Sequence, residues 1–241
     1  MLCSMGTPWP RVSTVVVGVL LCILAPQIRA QAFSQSFRVT PQQSTLEVSG
    51  HAGSIKVSAG EGNFIIVRAR EKDGNVKISA VEVKPSQIKV EVAGSGKVKL
   101  EIIVPPSTNL DLFCYKCELK TKNISGTVIA KSTEGDIEIH GGRSARVEAY
   151  TTTGDVLFDS EIAPSGSYTL KSLSGAVALV LPPVPNIKLS ATSFRGGIGL
   201  GDFQWKFTKQ TDQFVEASQG DGRATVHLLT KEGNIQIHRR Q

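Results

Sequence analysis

The sequence predicts an all-β protein: a repetitive, β-solenoid-like stack of strands with an N-terminal antiparallel β portion. Apolar residues recur at every second position, which is the period of a strand, and almost no helical period is present. A pattern that begins with glycine also repeats through the second half of the chain. An antiparallel β-sandwich is the alternative fold, because it too places strands at short intervals.

The composition is that of a globular protein with a sizeable core, since 40% of the 241 residues are hydrophobic and 20% are charged. The formal net charge is +6. The basic residues are spread over alternating strands and form no block, which argues against a nucleic-acid binder.

Residues 1–32 predict a signal peptide. Residues 15–25 form an apolar run, too short to cross a bilayer, which takes about 20 residues. Pro26 ends this run, and Ala30-Gln31-Ala32 has the small-residue pattern of a cleavage site. We therefore expect an exported protein, in the periplasm, on the cell surface or secreted. No stable membrane span is expected once the signal is removed.

Residues 33–106 predict an N-terminal region of short β-strands. In residues 88–92 and 98–102, Lys and Glu alternate with aliphatic residues, so one face of each strand is polar and the other is buried. Pro105, Pro106 and Ser107 then end a strand and stiffen the chain. We place a region boundary there.

Residues 107–241 predict a β-solenoid region built on glycine turns. Six glycines, each followed by alternating aliphatic residues, mark the register: Gly126, Gly135, Gly154, Gly175, Gly197 and Gly233. Most are about 20 residues apart, a period typical of solenoid coils. Stacked coils would bury one continuous apolar ladder, formed by Ile137, Ile139, Val156, Phe158, Val177 and Leu179.

These repeats follow a Val-Pro-Pro step and end in residues 230–237, Thr-Lys-Glu-Gly-Asn-Ile-Gln-Ile. Over residues 37–239 the chain resembles the bacterial putative-adhesin domain, an exported β-solenoid family described as a domain of unknown function. The resemblance implies a stacked β architecture, a surface or periplasmic location and no reaction. The chain departs from the pattern at residues 181–185 and 203–219.

Cys114 and Cys117 are the only cysteines after the predicted signal. Aligned on the repeat, Cys117 takes the place of the turn glycine, and Cys114 lies opposite Ser132 of the next coil. Residues i and i+3 of a β-turn are close enough for a disulfide, which an oxidising compartment favours. Free thiols, or a redox or metal-binding pair, are the alternatives, although neither a helix N-terminus nor further ligands accompany the pair.

Glu118, Asp136 and Asp155 occupy equivalent turn positions. We favour the interpretation that each caps its own turn; the alternative is a strip that binds Ca²⁺. The histidines are scattered, and no catalytic motif or metal-ligand spacing is present. The sequence therefore predicts no catalytic residue, no cofactor and no metal.

Phe203, Trp205 and Phe207 alternate, so a strand would place them on one face. This stripe predicts either a platform that binds a partner or, as we favour, a cap that closes the last coils.

The sequence thus predicts a non-enzymatic exported protein that binds a partner or acts as a scaffold. The expected partner is an envelope protein or a surface carbohydrate. A carbohydrate-active β-helix enzyme is the main rival, with Asp136 and Asp155 as its only candidate carboxylate pair. A regulatory module that contacts another envelope protein is the third hypothesis.

Overall fold

The computed structural model describes residues 32–73 and 75–240. The predicted signal peptide, apart from its last residue, lies outside this part of the chain. A short 3₁₀ turn spans Pro41–Gln43, and no helix of the described residues is long and apolar enough to cross a membrane. The strands are β1 (Ala32–Arg38), β2 (Thr45–Ala59), β3 (Phe64–Asp73), β4 (Val76–Lys84), β5 (Gln87–Gly94), β6 (Lys97–Val104), β7 (Asn109–Lys122), β8 (Val128–Glu134), β9 (Ile137–His140), β10 (Arg146–Thr153), β11 (Val156–Asp159), β12 (Ser167–Ser174), β13 (Val177–Leu181), β14 (Ile187–Arg195), β15 (Ile198–Gly199), β16 (Lys206–Gln210), β17 (Phe214–Gln219), β18 (Ala224–Glu232) and β19 (Ile235–Arg239).

Each coil contributes a strand segment to a first sheet and another to a second sheet. The parallel part of the first sheet has the order β5-β2-β7-β8-β10-β12-β18-β14. The second sheet has the order β6-β2-β7-β9-β11-β13-β19-β15. The long strands β2 and β7 bend midway and so belong to both sheets. In β7 the buried positions are even-numbered up to Cys114 and odd-numbered from Cys117, which places the bend between the two cysteines.

Antiparallel strands close both ends of the stack. At one end β4 pairs with β5, and β3 and β1 extend the second sheet from β6. At the other end β17 and β16 extend the first sheet from β14. The predicted fold class, a solenoid-like stack with N-terminal antiparallel strands, is confirmed. The antiparallel sandwich is not formed.

Two coils are stacked out of sequence order. The first, β2, lies between β5–β6 and β7. The last, β18–β19, lies between β12–β13 and β14–β15. The glycine spacing alone suggests stacking in chain order. It does not reveal this insertion, because every coil carries a similar motif.

The inward-facing side chains of the two sheets form one continuous core. The predicted apolar ladder is part of it, because all six of its side chains are buried: Ile137, Ile139, Val156, Phe158, Val177 and Leu179. Parallel sheets are stable when such faces are covered, so the core fixes which side of each strand faces water.

The bend of the regular coils is closed by a Ser/Thr residue and a glycine three residues apart. At Gly154, φ is 138°, and a Cβ atom would collide with the carbonyl oxygen of Gly135 in the coil below. Each buried Ser or Thr donates a hydrogen bond to the bend carbonyl of the neighbouring coil: Ser132 to Cys117, Thr151 to Gly135, Ser172 to Gly154, Thr230 to Gly175 and Ser193 to Gly233. The bends therefore stack directly, and every strand keeps its register with the next.

Two of the six predicted turn glycines lie elsewhere. Gly126 precedes β8 and packs against Thr108, at a different corner of the coil from the bend. In β14–β15 the bend residue is Gly196, which stacks on Gly233, whereas Gly197 comes one residue later. The predicted pattern used glycine alone, and it lacked the Ser or Thr that distinguishes the bend glycine from its neighbours.

Candidate binding surface

A single row of outward-facing residues crosses seven strands of the first sheet. The residue immediately before each buried Ser, Thr or Cys of the bend points outward, because successive side chains of a strand alternate between faces. Strand registers place these residues side by side, and Phe214 of the antiparallel strand β17 extends the line beside Thr192. We call the whole line the aromatic–lysine row: Phe113, Lys131, Tyr150, Lys171, Leu229, Thr192 and Phe214.

The row exposes aromatic rings in the middle of a fully paired sheet. Phe113 is 49% exposed and Tyr150 is 36% exposed. They lie on β7 and β10, with β8 between them, so their Cα atoms are separated by about 10 Å. Exposed rings at regular spacing are costly to leave uncovered, and such surfaces commonly bind partners.

A second aromatic group borders the row at the bend of β7. Tyr115 is 42% exposed, and its ring stacks on His51 of β2 with centroids 5.6 Å apart and planes 7° apart. Lys116 lies 5.8 Å from the Tyr115 ring and 2.9 Å from Glu134. The hydrogen bond to Glu134 raises the pKa of the Lys116 ammonium.

The two lysines of the row differ from the charged residues around them. Other charges of this sheet are paired, such as Arg146 with Glu148 at 2.6 Å and Lys89 with Glu91 at 2.8 Å. Within the part of the chain that the structure describes, no carboxylate lies within ion-pair distance of Lys131 or Lys171. The row therefore presents two uncompensated positive charges beside its rings.

The outer face of the second sheet has the opposite character. Its charges alternate along neighbouring strands and pair with one another, in a chain formed by Glu118, Lys120, Glu138, His140, Asp159 and Arg240. Partial burial raises the pKa of the Glu138 carboxyl, but hydrogen bonds from His140 and Lys120 outweigh it and hold that pKa below its ordinary value. This chain of ion pairs compensates the charges at the centre of the face, while Lys56 and Lys122 lie outside it.

The cysteine pair lies at the bend of β7, next to the exposed rings. Cys114 and Cys117 are buried, their Cα atoms are 5.6 Å apart, and their sulfur atoms are within bonding distance. As the repeat predicts, Cys114 is in register with Ser132. On the other side a Cβ at Gly50 would lie 3.2 Å from the Cys114 Sγ, so glycine there leaves room for the sulfur. In β7, Cys114 and Cys117 thus take the places of the Ser/Thr and the glycine of the other bends, and their sulfur atoms are positioned for a disulfide.

The acidic turn residues hold the next coil, not their own turn. Asp136 Oδ1 accepts the Asp155 N–H at 2.8 Å, and Asp155 Oδ1 accepts the Ala176 N–H at 2.7 Å. Asn234 accepts the Gly197 N–H at 2.9 Å in the same way. Glu118 pairs instead with Lys120. Among the described residues, no group of three or more acidic, His or Cys side chains is arranged to hold a metal.

Phe203, Trp205 and Phe207 do not lie together on one strand. Phe203 and Trp205 lie in an irregular segment before β16 and pack together against the core, with centroids 5.6 Å apart. Trp205 Nε1 donates to the Leu200 carbonyl at 3.0 Å. Phe207 lies on β16 opposite Ala217 and is 49% exposed. The first two rings therefore close the end of the stack, as a cap does.

Sequence reasoning missed the aromatic–lysine row, although the signal for it is local. The row residue is the one that precedes each bend motif, as in Lys131-Ser132, Tyr150-Thr151 and Lys171-Ser172. A search for Ser or Thr three residues before glycine would have aligned these positions across the coils.

Comparisons with known proteins agree with this architecture. Residues 39–238 match the model of the family described as Toastrack DUF4097, and the chain belongs to this family. No curated protein matches the sequence.

Two solved structures are similar to this chain. One is a putative cell adhesion protein from Clostridium sporogenes, 13% identical, which covers 87% of this chain and 100% of its own with a TM-score of 0.50. The other is a putative adhesin from Bacteroides fragilis, 10% identical, which covers 87% of this chain and 97% of its own with a TM-score of 0.44. At these identities the likeness to the first structure concerns the fold alone.

Proposed function

We propose that this member of the Toastrack family is an exported, non-enzymatic binding protein whose contact surface is the outer face of the first sheet. The observation that carries the proposal is the aromatic–lysine row. It combines exposed rings with unpaired lysines on a rigid sheet, while the centre of the second sheet carries a chain of ion pairs. The names of the structural relatives, which describe adhesion proteins, support a surface location.

The bonding of Asp136 and Asp155 supports a role without catalysis. Each carboxylate accepts a backbone N–H of the adjacent coil, which explains its position by the stacking of the coils. The rival hypothesis, a carbohydrate-active enzyme, needs these two groups as a free acid and base. Incubating the protein with neutral and acidic polysaccharides tests this directly. We expect no cleavage; cleavage that disappears in Asp136→Asn or Asp155→Asn would overturn the proposal.

Binding to cell envelopes tests the proposed surface. Labelled protein is mixed with bacterial envelope fragments, and the bound fraction is measured after sedimentation. We expect the double variant Phe113→Ser/Tyr150→Ser to lose most of the binding. The matched control is Phe64→Ser, which removes a similarly exposed ring on β3 and should bind as the parent does. Equal binding by all three proteins would contradict a role for the first-sheet face.

A further inference from the structure

The aromatic–lysine row has a repeat that restricts the chemistry of its partner. Rings and lysines alternate on successive strands, in the order Phe113, Lys131, Tyr150 and Lys171. Strands are about 4.8 Å apart, so the two rings are about 10 Å apart, as are the two lysines, and beyond Lys171 the row continues with Leu229 and Thr192. A ligand that matches this surface is therefore a linear polymer that crosses the strands and alternates an apolar unit with an anionic one.

We infer that the row binds a linear acidic polysaccharide with one anionic group in every two sugars; this rests on the proposed function and names its ligand class. The apolar faces of sugar rings pack on aromatic side chains, as amphipathic groups do. Carboxylates of alternate sugars then meet Lys131 and Lys171, whose spacing is comparable to the length of a disaccharide. Because neither lysine has a protein carboxylate within reach in the described chain, both can pair with the ligand.

The length of the row also fits a polymer. It crosses seven strands, which corresponds to about 29 Å from Phe113 to Phe214. At its far end Lys209 lies 5.3 Å from the Phe214 ring, which repeats the association of a lysine with an aromatic side chain. A small molecule would cover only part of this surface.

The charge density of a nucleic acid does not match the spacing of the unpaired lysines. A DNA strand carries a charge about every 3.4 Å, roughly three times as often as the unpaired lysines recur. Asp111 and Glu148 also face outward two residues before Phe113 and Tyr150, so a densely charged strand would meet carboxylates beside the row. A sparsely charged polysaccharide leaves room for both.

Calorimetric titration with hyaluronan, whose carboxylates occur once per disaccharide, tests the inference. We expect binding that weakens with added salt and falls about tenfold in Lys131→Gln/Lys171→Gln, as for two exposed charge pairs. The matched control is Lys56→Gln/Lys122→Gln, which removes two exposed lysines from the second sheet and should change the affinity less than twofold. Neutral dextran should not compete. Unchanged melting temperatures show that both double variants are folded.

Three outcomes would overturn the inference: no binding of hyaluronan, an equal loss in the control variant, or tighter binding of oligothymidylate or anionic vesicles. If hyaluronan fails while envelope binding still depends on Phe113 and Tyr150, the proposed function stands and only the ligand class is wrong. If envelope binding is also independent of these rings, the proposed function fails as well.

Discussion

The two outer faces of the stack are made by the same coils, yet the residues at the centre of each face differ. On the second sheet Lys120 forms ion pairs with Glu118 of its own strand and with Glu138 of the neighbouring strand. On the first sheet Lys131 lies between the exposed rings of Phe113 and Tyr150, and Lys171 lies between Tyr150 and Leu229. The parallel stack places equivalent positions side by side, so one substitution per coil is enough to build either a paired ladder or a binding row.

The bend lies beneath both faces, so a substitution there should have the largest effect on the stability of the stack. In Gly154→Val the new side chain would meet the Gly135 carbonyl and require a β-branched residue at φ 138°. We expect a loss of about 3 kcal/mol or more in the free energy of unfolding, from strain and overpacking together. Both faces should be lost in one transition, as measured by chemical denaturation. Retention of the parent stability would contradict the stacked bend.

A closed disulfide between Cys114 and Cys117 should add about 2 kcal/mol to the free energy of unfolding. The contribution is modest because the loop that it closes is short. Reduction, or Cys114→Ser alone, should lower the denaturation midpoint accordingly. The double variant Cys114→Ser/Cys117→Gly recreates the Ser and Gly of the neighbouring coil and should recover part of the loss.

The number of free thiols in the unreduced protein is measured in the same experiment. Two reactive thiols would contradict the disulfide. A double variant no more stable than Cys114→Ser would show that the two kinds of bend are not equivalent.

The loss of a single hydrogen bond at a bend should lower the free energy of unfolding less than the loss of the disulfide does. Thr151→Val keeps the shape of the side chain but leaves the buried Gly135 carbonyl without the hydroxyl donor. We expect a loss of about 1–2 kcal/mol. Thr152→Val, one residue later and partly exposed, is the control and should stay within about 0.5 kcal/mol of the parent in the same denaturation experiment.

The ion-pair chain of the second sheet should give the smallest effect, and one that depends on pH. Because the pKa of Glu138 is lowered in the folded state, its contribution is present above its unfolded pKa and is lost as pH falls through the folded value. Glu138→Gln should cost about 0.5 kcal/mol at pH 7 and nothing near pH 3. A pH-independent difference would indicate a packing effect. Glu61→Gln, on an exposed turn, is the control.

The fold class, the buried ladder and the register of the cysteine bend could be predicted because each depends on a short-range pattern. Alternation fixes the inward face of Ile137 and Val156, and the position of Cys117 follows from its neighbours. The insertion of β18–β19 below β14–β15 could not be predicted. Both coils carry a Ser/Thr-x-x-Gly motif, and only the long-range pairing decides between the two orders.

The candidate surface was hidden for a related reason. Phe113 and Tyr150 are 37 positions apart in the chain. The Ser/Thr-x-x-Gly motif aligns Lys131 with Tyr150, but Cys114 replaces the Ser or Thr in β7, so the pairing with β8 is needed to place Phe113 in the row. The stripe of Phe203, Trp205 and Phe207 was more visible because its rings are close in sequence. Two of those rings, however, pack on the end of the core.

Lysine acetylation in the presence and absence of envelope fragments tests whether the first-sheet face is the contact surface. Mass spectrometry of the labelled protein reports the reactivity of each lysine on both faces in one sample. The account predicts that binding protects Lys131 and Lys171 and leaves Lys56 and Lys122 unchanged. Protection of the second-sheet lysines with none in the row would contradict the first-sheet face as the contact surface.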